Sequence, residues 1–166
     1  NLEKFLEPFA AGLLWEEQRK SLEVYVRGRL SQLERRTLEP IATAHGLPRR
    51  PIQRFVGAGP WSDAPMKGEL RAQVVEHLGS DDAVLSIDPS TFPKKGDDSV
   101  GVTRQWCGRL GKVESCQKGV FVTYASAKGI ALIDGTLYLP QALAEDKRRR
   151  AKCHVPETAS FQTCAE

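Results

Sequence analysis

The sequence predicts an α/β chain of the α+β kind, helical in its first half and sheet-forming in its second. Three observations point there. Between Leu2 and Leu78 apolar residues recur at helical spacing, and after Gly79 the period changes to two. The length, 166 residues, suits a small helical domain joined to part of another. A composition of 40% hydrophobic and 27% charged residues is that of a globular chain. The boundary is expected in Ser80-Asp81-Asp82, which divides the chain into residues 1–80 and 81–166.

In the first segment Leu2, Phe5, Leu6 and Phe9 form one helical stripe, and Leu22, Tyr25, Val26, Leu30 and Leu33 form a second. Pro8 and Gly12 separate them. Glu16, Glu17, Arg19 and Lys20 read as a solvated helix surface. Thr37 can cap a short helix with Pro40 in its first turn, Ile41 and Ala44 on its buried side, and Gly46 in the turn that follows. A second short helix starts near Pro51, with Ile52, Phe55 and Val56 inward and Arg49, Arg50, Gln53 and Arg54 outward.

Residues 37–57 thus have helix-turn-helix spacing, in which the second helix can enter the DNA major groove. Arginine and glutamine suit that place because they bind guanine and adenine edges bidentately. A helical hairpin that only packs satisfies the same pattern, so both readings stay open. Trp61 is expected to plug the junction to a third helix, capped by Ser62 or Asp63, with Met66, Leu70, Val74 and Leu78 as its stripe. Gly79 ends it.

The sheet segment opens with Ala83 to Ile87, a short apolar strand expected to be buried on both faces, ending on Asp88. A proline-interrupted turn and the lysine pair Lys94-Lys95 follow. Ser99 to Cys107 alternates, and Gln117 to Ala125 is apolar on both faces, as a central strand is. Asp134-Gly135 is a two-residue turn signal, predicting a hairpin of Ile130–Ile133 and Thr136–Leu139. Gln141 to Arg150 reads as one helix whose basic last turn, Lys147-Arg148-Arg149-Arg150, suits the helix dipole.

The formal charge of +3 permits nucleic-acid binding without requiring it. Cys107, Cys116, Cys153 and Cys164 lie far apart with no CxxC pair, so no zinc site is expected and free thiols are. No apolar run approaches the ~20 residues of a membrane span. A soluble, cytoplasmic protein with no membrane partner is expected.

Asp88 is the residue on which chemistry could turn. A carboxylate at a strand end can bind a hard cation such as magnesium, and two such ions can hold both oxygens of a phosphoryl displacement. That needs several converging carboxylates. One acid after a strand is otherwise a turn former.

The segment SIDPSTFPKKGDDSVGVTRQWCGRLGKVESCQKGVFVTYAS resembles the first block of bacterial insertion-sequence transposases of the DDE superfamily, which have an RNase H-like catalytic domain. LIDGTLYLPQALAEDKRRRAKCHVPETASFQT resembles the block that follows, and TLEPIATAHGLPRRPIQRFVGAGPW one that precedes it. The similarity runs from about Thr37 to Thr163, and the strings PKKG, SVGV, RQWCG, LGKV and LYLP make it specific.

The resemblance implies an N-terminal helical domain followed by the first, antiparallel part of an RNase H-like sheet. It makes Asp88 the first catalytic acid and a metal ligand in a two-magnesium site, with double-stranded DNA, at element ends and target, as substrate. Arg49, Arg50, Gln53 and Arg54 in the first domain, and Lys94, Lys95, Arg104, Arg109 and Lys112 in the second, are the candidate DNA contacts, although Asp97 and Asp98 dilute the charge of that loop. The activity implied is DNA transposition in the bacterial cytoplasm, at the nucleoid.

Two departures stand out. Pro89 occupies a position where many members carry a second acid, and the family's second Asp and its Glu are expected beyond Thr163. The expectation is therefore a truncated domain in which Glu166 is not the missing Glu, and whose unpaired sheet edge invites self-association. A non-catalytic DNA-binding remnant or transposition inhibitor is the alternative.

Overall fold

The chain divides into two units, Asn1–Gln73 and Val74–Glu166, in the computed structural model, which describes residues 1–96 and 98–163. The element order is α1 (Leu2–Leu6), a 3-10 turn (Phe9–Gly12), α2 (Glu16–Leu30), α3 (Leu38–Ala44), α4 (Arg49–Ala58), α5 (Ala64–Leu78), β1 (Val84–Pro93), β2 (Thr103–Cys107), β3 (Lys112–Ser126), β4 (Gly129–Leu137), α6 (Gln141–Glu145) and α7 (Lys147–Lys152). Mixed helices and an antiparallel sheet make the fold α+β.

In the first unit α2 begins where Gln18 folds back. Its Oε1 accepts hydrogen bonds from the backbone N–H groups of Leu14 (3.1 Å) and Trp15 (3.3 Å), satisfying donors that precede the first turn. Two apolar clusters hold the helices. Ala10, Leu13, Leu22 and Phe55 form one, with Val26, Trp61 and Met66 against it. Ile41, Ala42 and Ile52 form the other, with Val24, Tyr25, Leu33 and Leu38 around them. Helix α2 approaches α3 closely at Gly28, where an added Cβ would lie 2.4 Å from an Ile41 methyl. Trp61 closes the end of α4: its ring stacks on Phe55 at 4.9 Å, and its Nε1–H donates to the Phe55 carbonyl at 2.7 Å.

In the second unit β3 is the hub of a four-stranded antiparallel sheet. It pairs with β1 from Cys116 to Ala125, with β2 from Lys112 to Cys116, and with β4 from Gly119 to Ser126. The C-terminal end of α5 is tied to this sheet. The Leu78 carbonyl accepts from Ser126 Oγ (2.8 Å) and Tyr124 Oη (3.3 Å), and the Gly79 carbonyl from Lys128 Nζ (2.6 Å). Those carbonyls have no partner within a helix, and the sheet supplies one.

The α3–α4 pair, Leu38–Ala44 and Arg49–Ala58, the α5 stripe and the central β3 stand close to where the sequence places them. Several expectations fall. Strand β1 does not stop at Ile87 but continues through Asp88 and Pro89 to Pro93. Among the described residues it pairs on one edge only, where a proline is tolerated because one side of the strand asks for no ladder bond. It is also not buried: Val84, Leu85 and Ile87 are 62%, 62% and 65% exposed. Apolar composition predicted burial, and among the described residues nothing covers it.

Asp134-Gly135 is not a turn. Strand β4 runs through it, and the hairpin with β3 closes earlier, between Ser126 and Gly129. A two-residue type I′ turn needs positive φ at both central residues, and neither Asp134 nor Gly135 has it. The glycine is needed instead beneath the Phe121 ring, which a Cβ there would approach to 2.7 Å. Ile133 is skipped in the register, so the irregularity is a bulge. The predicted strand Ser99–Cys107 begins only at Thr103, after a turn with Gly101 at φ +77°. The helix expected over Gln141–Arg150 breaks at Asp146, whose Oδ1 caps α7 by accepting from Arg149 N–H (3.0 Å). Val56, expected inward, is 42% exposed, and Ala42 rather than Ala44 is buried. Cys107 and Cys116 are buried free thiols, Cys153 is also buried, and Cys164 lies outside the described residues.

Gly28→Ala tests the α2–α3 contact. At an ordinary helix position this change is stabilising by up to about 1 kcal/mol. Here overpacking against Ile41 is expected to destabilise the chain by about 1–3 kcal/mol, seen as a lower urea midpoint. A raised midpoint would show that the contact yields freely.

Candidate functional site

Asp88 stands in the middle of β1, paired in register with Phe121 of β3. Alternation along the strand puts Ser86, Asp88, Ser90 and Phe92 on one face. Phe92 meets Phe121 edge-on there, with ring centroids 6.2 Å apart. Gly119 and Gly135 flank Phe121 because its ring occupies the space that their side chains would take. Asp88 is exposed and makes no ion pair among the described residues. Its face therefore carries a carboxylate between two serines, beside an aromatic patch.

No group of three or more His, Cys, Asp or Glu side chains that could hold a metal is present among the described residues. A hard divalent cation takes six or more oxygen ligands, and a two-metal site needs several carboxylates. The described donor set, one carboxylate and neighbouring hydroxyls, does not fit a two-magnesium site.

The basic residues of this unit lie elsewhere on the sheet. The Lys94 backbone N–H donates to the Ser115 carbonyl at 3.0 Å, and Arg104 pairs in register with the same Ser115. Six residues separate Asp88 from Lys94, roughly 20 Å of extended strand. Lys94, Lys95, Arg104 and Arg109 are exposed, whereas Lys112 is ion-paired with Glu114 at 3.2 Å. The Ser115 backbone N–H, 3.0 Å from Glu114, holds that carboxyl below its ordinary range, and Lys112 adds to the effect. Asp98 is ion-paired with Lys152 at 2.6 Å, and Asp97 lies outside the described residues.

The basic run before Lys152 is divided between structure and solvent. Arg149 donates to the Val102 carbonyl at 2.9 Å, and Arg150 to the carbonyls of Ala144 (3.2 Å) and Pro156 (2.8 Å). Lys147 and Arg148 point to solvent.

In the first unit Arg49 is ion-paired with Glu39 at 3.5 Å. Arg50, Gln53 and Arg54 line a groove of about 890 Å³ whose other wall is the start of α2, with Trp15, Glu17, Gln18 and Ser21. Phe55 and Gly57–Pro60 complete it. The sequence reading set these three, with Arg49, on the outward face of one helix and did not single out Trp15, which stands across the groove from them. Its aromatic side chain just ahead of a helix, outside either apolar stripe, was the available signal.

A model of the DDE superfamily endonucleases matches residues 8–166. The chain is similar to a probable transposase for insertion sequence element IS701 of Microchaete diplosiphon, with 30% identity over 89 residues. That match covers 53% of this chain and 23% of the transposase, so the aligned stretch spans under a quarter of the relative. No solved structure matches the chain. No helix among the described residues is long and apolar enough to cross a membrane.

Two measurements separate structural from available charge. Arg149→Ala is expected to cost about 1–2 kcal/mol in urea denaturation, because a charged donor leaves the Val102 carbonyl, while Arg148→Ala leaves stability unchanged. Equal effects would show that the Arg149 bond contributes nothing. Glu114, depressed in the fold, contributes stability above its ordinary pKa and loses it as pH falls through the lower folded value. A carboxyl carbon titration by NMR is expected to place Glu114 below an unperturbed glutamate, and Lys112→Ala to move it back up.

Proposed function

The chain belongs to the DDE superfamily endonuclease family, and from that premise we propose that it serves DNA transposition as part of a DDE-type transposase. The substrate in this reading is double-stranded DNA, at element ends and at the target, in a bacterial cytoplasm. Residues 1–80 are the DNA-contacting helical domain. Residues 81–166 are the opening part of an RNase H-like catalytic domain whose first acid is Asp88.

The observation that carries this reading is the family match from residue 8 to residue 166. The sheet agrees with it: β1, β3 and β4 form an antiparallel set, as such a domain begins, and β1 keeps one edge open. Asp88 is exposed on that strand, where a DNA strand can reach it. Lys94 and Arg104, level with Ser115, lie roughly 20 Å along the sheet from Asp88, about six phosphates at 3.4 Å each, with Lys95 and Arg109 farther on. In this reading they hold flanking duplex rather than the phosphate at Asp88. Arg50, Gln53 and Arg54 supply phosphate contacts of the first domain, without reading base edges inside a duplex groove.

The lone carboxylate favours a second reading for the chain by itself, a non-catalytic protein that occupies DNA ends without cutting them. A family endonuclease needs more acids than the described residues bring to Asp88.

Fluorescence anisotropy with a labelled duplex tests the DNA reading. Affinity is expected to fall at least about tenfold between low and physiological salt, and Lys94→Ala or Arg104→Ala to lower the salt slope by about one each. No duplex binding, or binding indifferent to salt, would sink it. The two readings separate on cleavage. The 166-residue chain is expected not to nick duplex DNA in magnesium or manganese, and nicking abolished by Asp88→Ala would establish a complete catalytic site instead.

A further inference from the structure

A groove runs between the start of α2 and the outer face of α4. Arg50, Gln53 and Arg54 face into it from α4, across from the start of α2. A duplex shows its base edges only inside grooves, of which the wider is about 12 Å across, and a reader must project to enter one. A recess cannot do so. It suits a flat group that leaves the stack and inserts itself.

The two walls differ chemically. The α4 wall is basic: Arg50 and Arg54 make no ion pair among the described residues, and Arg50 sits in the first turn of a helix that has no side-chain cap. The α2 wall presents Trp15, 51% exposed, and the Glu17 carboxylate. Phosphate is therefore attracted to the α4 side and repelled from the α2 side, which leaves the indole as the partner for a base.

Both walls are held. The Trp15 backbone N–H donates to Gln18 Oε1, and the Trp15 carbonyl accepts from Gln18 N–H (3.0 Å) and Arg19 N–H (3.3 Å). The Phe55–Trp61 stack fixes the Gly57–Pro60 rim, and an added Cβ at Gly59 would lie 2.6 Å from the Trp61 ring. An aromatic surface on a rigid backbone, opposite two unpaired guanidinium groups, is the chemistry by which proteins hold single-stranded nucleic acid.

We propose that this groove binds one unstacked base of a DNA single strand, with Trp15 stacking on the base, Arg50 and Arg54 on the flanking phosphates, and Gln53 at the base edge. The proposal rests on the DNA-acting reading above and adds a single-strand site to it.

The test compares a labelled single-stranded oligothymidylate with a duplex of equal length, using the full chain and fluorescence anisotropy. Trp15→Ala is expected to weaken single-strand binding roughly tenfold or more, the value of one stacked base, with duplex affinity unchanged. Trp15→Phe is expected to retain most of the single-strand affinity. Arg54→Ala, which removes no side-chain hydrogen bond or ion pair among the described residues, is expected to weaken single-strand binding and reduce its salt slope by about 0.7. Single-strand affinity unchanged in both Trp15→Ala and Arg54→Ala overturns the groove and leaves the duplex reading standing. A Trp15→Ala change in sedimentation mass with unchanged single-strand affinity places a second copy there instead, and also overturns it. Loss of all DNA binding by the native chain overturns both readings.

Discussion

The second unit depends on one long strand. β3 spans Lys112–Ser126 and is hydrogen-bonded to all three other strands, so the position of every residue on the sheet is set by its register against β3. Asp88 lies opposite Phe121, Arg104 opposite Ser115, and Trp106 opposite Val113, because the pairing can slide only in steps that would turn each side chain to the other face. The glycines at 119 and 135 follow from the same constraint. Each makes room for the Phe121 ring, which with Phe92 forms the apolar part of the face that holds Asp88.

That register also separates acid from base. Charge in the sequence around Asp88 suggests a carboxylate beside a lysine loop, yet an extended strand carries Lys94 away from it at about 3.3 Å per residue. The sheet therefore presents an isolated carboxylate at one place and a basic patch at another. An extended polyanion can span both, whereas a small anion cannot.

Not every arginine is available to such a partner. Arg149 and Arg150 hold backbone carbonyls, Arg27 joins Glu3 and Glu23, and Arg49 joins Glu39. Among the described residues Arg50 and Arg54 make no ion pair, and they line the groove opposite Trp15. The distinction is between cations that satisfy the fold's own orphan acceptors and cations left facing solvent, and only the second kind can supply counterion-releasing contacts.

Periodicity and helix punctuation carried much of the fold. The α5 stripe of Met66, Leu70, Val74 and Leu78, the α3–α4 pair, and β3 as a strand apolar on both faces were legible because each rests on local spacing. Asp88 was singled out by resemblance. What local signals could not decide was decided by tertiary context. Asp134-Gly135 looks like a turn until a ring from the neighbouring strand claims the glycine's missing side chain. Pro89 looks like a strand end until the strand proves to pair on one edge only. The groove of Trp15, Arg50 and Arg54 joins residues about 35–40 positions apart in sequence, and no spacing rule links them. The sequence by itself determined where the chain is helical, where it is extended, and which acid to examine. The tertiary structure decided which polar groups are already satisfied and which still face solvent, since that depends on long-range hydrogen bonds and packing that no local window contains.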